Sequence, residues 1–362
     1  MSKRLPMMMV ALLLASSACK KESKKAEPPA DPTASAAGGT AAPDPATAAP
    51  DPAAAAAEKK RQDAEEAAQE MRDAEAEAAK EASRWTDDMK KGAAALVAKK
   101  FASSSAALKA ILASPHRIPG NADRDVYRHP LETLTFFGIK PNMTVVEVGT
   151  GAGWYTEVLA PLVAREGKLV AVTYDPNGPP ESGRTVYGKR TQMFLAKSPE
   201  MFGKVELALI NPPDKVSFGP DGSADLVLAL REMHNWQRRG DIDAYLAGIH
   251  KVLKDGGKFG VEAHRAAAGA KVEDTADKGY LPEEWLIKKI ESAGFKLEEK
   301  SEINANPKDT KDYEKGVWTL PPTYQEGDKD KEKYKAIGES DRMTLRFVKV
   351  AASKPADAPP SK

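Results

Sequence analysis

The sequence predicts an α/β fold in which helices cover both faces of a mostly parallel sheet. From Ser114 onward, short runs rich in Val, Leu and Ile alternate with segments of helical pattern. This alternation favours a parallel sheet, because parallel strands are joined by crossover helices. A glycine-rich loop follows the first apolar run, residues 144–148. Ligands of open α/β sheets bind beyond the carboxyl ends of strands, so this loop is the first candidate site.

The individual elements follow from apolar runs and from the residues that end helices. Gly138, the Lys-Asp-Gly-Gly sequence at 254–257 and Gly294 are typical helix terminators. Pro282 is a typical first residue of a helix. The predicted strands are 144–148, 168–174, 205–210, 224–230, 258–263, 296–303 and 343–350, and the predicted helices are 131–137, 155–164, 240–253 and 282–293.

The first 19 residues have the pattern of a bacterial lipoprotein signal. Residues 2–4 give a positive start, residues 5–15 are apolar, and small residues precede Cys19, the one cysteine of the chain. We therefore expect a signal peptide at 1–18, lipidation of Cys19, and a location in the bacterial cell envelope, facing the periplasm. The alternative is a plain cleaved signal with an incidental Cys19. Ser16, where lipoprotein signals usually have Leu, departs from the lipoprotein pattern.

Composition divides the remaining chain into four parts. Residues 19–57, rich in Ala, Pro and Asp, predict a disordered linker. Residues 58–104, rich in Ala, Glu and Lys, predict a helical spacer, which over 58–91 is either solvated or a weak coiled coil. Residues 92–113 are more amphipathic, so we expect them to dock on the domain. Residues 105–350 form the predicted folded domain and 351–362 a disordered tail. The 54 basic and 53 acidic residues nearly cancel, so no nucleic-acid partner is expected, and membrane contact is expected only through the N-terminal lipid.

The glycine loop at 149–153 favours S-adenosylmethionine (SAM) over a dinucleotide. Dinucleotide sites use G-x-G-x-x-G to hold a pyrophosphate, whereas Trp154 here stands where the third glycine should be. SAM has no phosphate and needs an acid for its ribose, for which Asp175 is placed after the second strand. A glycine turn without a ligand is the alternative. The predicted cofactor-binding residues are Glu147, Gly149, Thr150, Gly151, Gly153 and Asp175.

Two histidines follow strands at the same predicted edge of the sheet. His234 follows the fourth strand and His264 the fifth. A neutral imidazole suits a general base for an acceptor that must lose a proton, so both are candidate catalytic residues. Structural histidines bonded to loop backbone are the alternative. No closely spaced ligand pair is present, and we predict no metal site.

Further residues are candidates for binding a substrate or closing over it. Arg124, Asp125 and Arg128 fall on a short helical turn before the first strand and either bind an acidic acceptor or form a surface ion-pair network. Trp236 follows His234 closely and joins this group. Residues 318–324 lie in a long polar insertion, which is either a lid or a solvated loop.

Several motifs resemble those of a family of bacterial class I SAM-dependent methyltransferases. They are Gly-Trp-Tyr-Thr-Glu-Val-Leu-Ala-Pro at 153–161, the Arg124-Asp125 segment, Glu-Ala-His-Arg at 262–265 and Gly-Glu-Ser-Asp-Arg-Met at 338–343. The resemblance implies a Rossmann-like sheet of seven strands with an antiparallel last strand, and SAM at residues 147–153 and Asp175. Thr150 and Ala152 depart from it, since Pro and Gly are common there.

The sequence thus predicts a SAM-dependent methyltransferase that acts on a small-molecule or envelope-associated acceptor. The alternative is an exported SAM- or nucleoside-binding lipoprotein on the same fold without turnover. Export motivates this alternative, because SAM is made in the cytosol.

Overall fold

The computed structural model describes residues 52–351. The predicted signal peptide, Cys19, nearly all of the predicted linker and the tail after Ala351 lie outside these residues. The described residues separate into two compact units, residues 52–63 and residues 64–351. In its described part, the first unit is helical, and Arg61 pairs with Glu58 at 2.7 Å.

Helix α1 spans Pro52–Arg84 and begins before the predicted start at residue 58. Alanine is the strongest helix former, so the alanine run at 53–57 extends the helix into the predicted linker. Within the second unit, Ala67, Ala74 and Trp85 are buried, and the Lys197 ammonium lies 3.4 Å from the Glu81 carboxylate. The predicted solvated spacer is therefore packed in this part, and the domain boundary predicted at 105 lies inside a packed unit.

The other helices are distributed before and between the strands. The predictions did not include the helix after the second strand, because its apolar residues do not form a clear stripe. The helices are α2 (Asp87–Ala98), α3 (Ser104–Leu112), α4 (Asp125–Arg128), α5 (Pro130–Phe136), α6 (Thr156–Val163), α7 (Gly183–Ala196), α8 (Pro199–Phe202), α9 (Met233–Arg239), α10 (Ile242–Val252), α11 (Val272–Thr275), α12 (Glu283–Glu291) and α13 (Lys331–Ile337).

The sheet has seven strands in the order β3-β2-β1-β4-β5-β7-β6. The first five strands pair in parallel, and β7 pairs antiparallel with both β5 and β6. This confirms the predicted seven-stranded, mostly parallel sheet with an antiparallel last strand. The strands are β1 (Thr144–Val148), β2 (Lys168–Tyr174), β3 (Glu206–Ile210), β4 (Ala224–Leu230), β5 (Leu253–His264), β6 (Phe295–Ser301) and β7 (Arg342–Lys349).

Two hydrophobic clusters cover the two faces of the sheet. Alternate residues of a strand point to opposite faces. Val146 and Val148 of β1 join the cluster that contains residues of α10 and α12, whereas Val145 joins the cluster with Leu108 of α3 and Leu159 of α6. Helices on both faces hold β1 at the centre of the sheet, so the loop after β1 starts from a rigid base.

The end of α10 differs from the prediction. The helix ends at Val252, and Leu253 already pairs with Ala224 of β4, so residues 254–257 lie in β5 and do not cap the helix. The pairing then shifts, with Lys258 opposite Leu226, and Gly256 takes the bulge conformation with φ +73°. Gly256 therefore forms part of a β-bulge. Both β-bulges and helix ends favour glycine with positive φ, so the sequence does not distinguish them here.

Candidate functional site

A cavity of about 300 Å³ lies at the carboxyl ends of β1, β4 and β5. At β1 the strand order reverses, since the chain proceeds to β2 and β3 on one side and to β4 and β5 on the other. Loops diverge at such a switch point and leave a crevice for ligands. The glycine loop after β1, the start of α9, the end of β5 and the segment before β7 form the cavity wall.

The glycine loop has a left-handed backbone at each of its glycines. The φ angles are +81° at Gly149, +55° at Gly151 and +80° at Gly153. Residues other than glycine rarely adopt such values. A Cβ on Gly149 would lie 2.7 Å from Cδ of Glu232, so the loop passes tightly against that carboxyl. A Cβ on Gly151 would meet nothing within 4 Å, which leaves open space at the ligand face of the loop.

A buried and a half-buried carboxyl group flank the glycine loop. Glu147, near the end of β1, accepts a hydrogen bond from the Thr156 hydroxyl at 2.7 Å, and burial raises its pKa to about 8. Glu232, after β4, accepts a hydrogen bond from the Asn235 amide at 3.3 Å, and burial raises its pKa to about 7. Both groups are poorly paired by the protein, so a cationic ligand would stabilise their charged forms.

The two predicted catalytic histidines lie side by side in the cavity wall. The ring centres of His234 and His264 are 5.4 Å apart, and Trp318 lies 5.8 Å from His234. His264 Nδ1 is hydrogen-bonded to the Ser340 hydroxyl at 2.6 Å. Burial lowers the pKa of His234 to about 3 and that of His264 well below its usual value. Both imidazoles are therefore neutral at neutral pH, and each retains a nitrogen lone pair.

A network of buried arginines and glutamates supports the wall next to Tyr155. Arg231 has a left-handed backbone, with φ +64°, and its guanidinium lies 3.2 Å from the Glu262 carboxylate. Glu262 also accepts a hydrogen bond from the Tyr155 hydroxyl at 3.0 Å and pairs with Arg342 at 3.1 Å. The strained backbone of Arg231 directs its side chain into this network.

Arg124 and Arg128 meet at a single acid on the same wall. Their Nε atoms lie 2.8 Å and 3.0 Å from the Glu339 carboxylate, and Arg128 stacks 4.7 Å over the Trp154 ring. Arg128 is buried, so the pair is not the surface ion-pair network that the sequence left open.

The structure thus brings together most of the predicted site residues. Trp318 and neighbouring residues of the long insertion also line the cavity, as a lid would. The predicted residues that line the cavity are Arg124, Arg128, Glu147, Gly149, Thr150, Gly151, His234 and His264.

Four predicted residues lie elsewhere. Asp175 is exposed outside the cavity lining, and its carboxylate accepts a hydrogen bond from the backbone N–H of Asn177 at 2.9 Å. Asp125 pairs with Arg117 at 2.6 Å. These two acids are therefore engaged by local partners, which the sequence order did not reveal.

Trp236 and Gly153 have packing roles instead. Trp236 is 1% exposed and stacks on Tyr245 at 4.3 Å, because α9 turns it into the core. Gly153 faces away from the cavity, and a Cβ there would overlap the Phe194 ring of α7. The glycine at 153 therefore permits α7 to approach the loop closely.

The sequence prediction missed Glu232, Glu339 and Ser340. Glu232 follows β4, a neighbour of β1, so its place after a strand was an available signal. Glu339 and Ser340 precede β7, and the antiparallel direction of β7 brings its start to the edge where the parallel strands end. The position of Glu339 and Ser340 before β7 therefore indicates a site only when β7 is known to be antiparallel.

Two further properties concern the described residues alone. Among residues 52–351, no group of three or more His, Cys, Asp or Glu residues is arranged to hold a metal ion. Within the same range, no helix combines the length and apolar character needed to cross a bilayer.

One family model matches part of the chain. Residues 86–194 match the family model of protein-L-isoaspartate(D-aspartate) O-methyltransferase. This segment contains β1, the glycine loop, α6 and α7. No curated protein matches the chain significantly.

Similar solved structures include three methyltransferase-type proteins. A SAM-dependent methyltransferase from Aquifex aeolicus is 19% identical, with 69% of this chain and 100% of that chain covered and a TM-score of 0.41. A TehB-like SAM-dependent methyltransferase from Corynebacterium glutamicum is 16% identical, with 67% and 93% covered and a TM-score of 0.36. An O-methyltransferase family protein from Burkholderia thailandensis is 12% identical, with 69% and 61% covered and a TM-score of 0.39.

The sheet order itself, with an antiparallel β7 between β5 and β6, defines the fold. The fold and the family match together imply SAM as the methyl donor. The described residues adopt the class I methyltransferase fold, and residues 86–194 match the family model of protein-L-isoaspartate(D-aspartate) O-methyltransferase.

Proposed function

We propose that this chain is a SAM-dependent methyltransferase that acts on a small-molecule or envelope-associated acceptor. The observation that carries the proposal is the glycine loop at the switch point of the sheet, with the carboxyls of Glu147 and Glu232 beside it. When bound, SAM supplies an electrophilic methyl group on a sulfonium centre. The loop and the two acids fit its methionine end, which carries positive charge.

The chain's own contribution to transfer is orientation and proton removal. Methyl transfer requires the acceptor atom to be held in line with the methyl group. His264, fixed by the hydroxyl of Ser340, and His234 beside it present neutral imidazoles in the cavity. We assign His264 the role of general base, because its Nδ1 is held by Ser340 and its other ring nitrogen remains to accept a proton.

The proposal includes export and lipid anchoring at Cys19. Its support is the pattern of residues 1–19, with a basic start, an apolar run and small residues before the one cysteine. An enzyme in the cell envelope would meet acceptors of the envelope, which motivates that class of acceptor. Labelling of cells with a tritiated fatty acid tests this part, since Cys19→Ser should abolish the label.

Calorimetry of the full chain with SAM and with S-adenosylhomocysteine tests the central claim. We expect binding of both, followed by transfer of tritium from methyl-labelled SAM to a component of a bacterial envelope extract. Absence of SAM binding at millimolar ligand contradicts the proposal. Binding without transfer to any extract component favours the alternative, an exported binding protein on this fold. Tight NAD binding without SAM binding indicates a dinucleotide site instead.

A further inference from the structure

Arg124 and Arg128 present unpaired guanidinium edges to the cavity. Both use Nε to bond the Glu339 carboxylate, at 2.8 Å from Arg124 and at 3.1 Å and 3.0 Å from Arg128. Within residues 52–351, the terminal nitrogens of these two side chains have no hydrogen-bond partner. Both side chains line the cavity, so four N–H-bearing nitrogens are available to a ligand there.

Glu339 does not neutralise the positive charge of this wall. Arg342 also binds Glu339, at 2.7 Å, and Arg342 and Arg231 share the second acid, Glu262, at 3.1 Å and 3.2 Å. With Arg124 and Arg128, four guanidinium groups therefore surround two carboxylates. Burial lowers the pKa of Arg124, the Glu339 carboxylate raises it, and the charges of Arg231 and Arg342 lower it.

The geometry of the two side chains is fixed before any ligand arrives. Glu339 is buried and holds both Nε atoms, and the Trp154 ring lies 4.7 Å from the Arg128 guanidinium. A guanidinium held in this way loses little conformational freedom when it binds an anion. Its free edge matches the two oxygens of a carboxylate.

We propose that Arg124 and Arg128 form a carboxylate-binding subsite in the cavity, held in position by Glu339. The identity of the ligand rests on the proposed function: the carboxylate belongs either to the methionine end of SAM or to an acidic acceptor. The chemistry of recognition is the same in both cases, a bidentate, charge-assisted pair of hydrogen bonds. The subsite therefore either anchors the methyl donor or selects the acceptor.

Calorimetry of the full chain with three probes distinguishes the two sources. The probes are S-adenosylhomocysteine, 5′-methylthioadenosine, which lacks the amino-acid end, and succinate, with and without saturating S-adenosylhomocysteine. Arg124→Gln removes one guanidinium at a partly exposed position, and Arg124→Lys keeps the charge without the bidentate guanidinium. Arg165→Gln is a control at an exposed arginine, which pairs with Glu166 at 3.7 Å.

If the subsite binds the donor, Arg124→Gln lowers the affinity for S-adenosylhomocysteine about tenfold to a hundredfold and leaves the affinity for 5′-methylthioadenosine unchanged. If it binds the acceptor, both nucleosides bind Arg124→Gln normally, and succinate binding to the nucleoside-saturated protein is lost. In either case Arg124→Lys has an intermediate effect and Arg165→Gln none.

Equal affinity of wild type and Arg124→Gln for S-adenosylhomocysteine, together with equal succinate binding, overturns the subsite. Failure of the proposed function has a different signature, because then wild type binds neither nucleoside. Succinate alone still tests the subsite in that case. Loss of succinate binding in Arg124→Gln supports it and unchanged binding refutes it.

Discussion

Replacing Gly149 by Ala tests whether the tight passage of the glycine loop against Glu232 organises the site. Gly256 provides a matched control, because its φ of +73° is close to the +81° of Gly149. A Cβ on Gly256 would meet nothing within 4 Å, whereas one on Gly149 would lie 2.7 Å from Cδ of Glu232. The two substitutions therefore share the backbone strain and differ in the steric contact.

The magnitudes follow from these two components. A left-handed Ala costs about 1–2 kcal/mol, of which roughly 0.4–1 kcal/mol is offset by the reduced freedom of the unfolded chain. Forcing extra volume into a packed position adds about 1–3 kcal/mol. We therefore expect Gly256→Ala to lower the free energy of unfolding by about 1 kcal/mol and Gly149→Ala by about 2–4 kcal/mol.

Urea denaturation measures the free energies of unfolding, and calorimetry measures the affinity for S-adenosylhomocysteine. Gly149→Ala should lower the affinity for S-adenosylhomocysteine at least about tenfold, because Glu232 must move away from the loop. Gly256→Ala should leave the affinity unchanged, since the bulge lies near the amino end of β5 and the cavity lies at the carboxyl ends of the strands. Equal losses of stability and equal affinities for the two variants would refute the reasoning.

Three other predictions concern burial in the site and in the N-terminal helices. The pKa of Glu147 is raised to about 8 in the folded protein, so the proton stabilises the fold below pH 4.5 and this stabilisation is lost as the pH rises to 8. The free energy of unfolding of Glu147→Gln, measured by urea denaturation, should therefore rise by about 3–5 kcal/mol relative to that of wild type as the pH is raised from 5 to 9. His264→Ala should lower kcat about a hundredfold and leave the S-adenosylhomocysteine affinity unchanged, as measured by methyl transfer and calorimetry. Trp85→Ala should lower the free energy of unfolding by about 3–5 kcal/mol, because Trp85 is 4% exposed.

Each of these predictions has a control or a contradicting result. A pH-independent difference between Glu147→Gln and wild type would mean that Glu147 is not protonated in the fold. Ser340→Ala should lower kcat less than His264→Ala does, and an equal affinity loss for both would point to a binding role. Glu75→Ala, at an exposed position of α1, the helix that ends directly before Trp85, should change stability by less than about 0.5 kcal/mol. A loss for Trp85→Ala as small as this would mean that the N-terminal helices do not stabilise the domain.

The strands were the most readable part of the sequence. Parallel strands buried on both faces are near-continuous apolar runs, and β1, β2 and β4 have the predicted bounds. Helix α7 was not predicted, because its apolar residues are spread around the helix and do not form a stripe. The Lys-Asp-Gly-Gly sequence was misassigned because a bulge and a helix end both use glycine with positive φ.

The sequence indicated site residues most clearly where they lie near the carboxyl ends of neighbouring strands. Residues at or shortly after the carboxyl ends of β1, β4 and β5 must lie at one edge of the sheet, and Glu147, His234 and His264 accordingly line one cavity. Glu339 lies far along the chain from the arginines that it binds, 211 positions after Arg128. No local pattern reveals such a pair. Asp175 shows the converse, since its position after β2 was correct but a local backbone amide binds its carboxylate.

The cavity has two regions of opposite character, and this contrast constrains its ligand. Glu147 and Glu232 offer carboxyl groups beside the glycine loop, whereas Arg124 and Arg128 offer guanidinium edges near Trp154. A cation bound beside the loop favours ionisation of both acids and so lowers their pKa values towards the ordinary range. An anion bound at the arginines compensates charge that Glu339 leaves over. A ligand that carries both charges satisfies the two regions at once, and the amino-acid end of SAM is such a group. The same polarity also suits a methyl donor held at the loop with an acidic acceptor at the arginines, and the effect of Arg124→Gln on the two nucleosides decides between these arrangements.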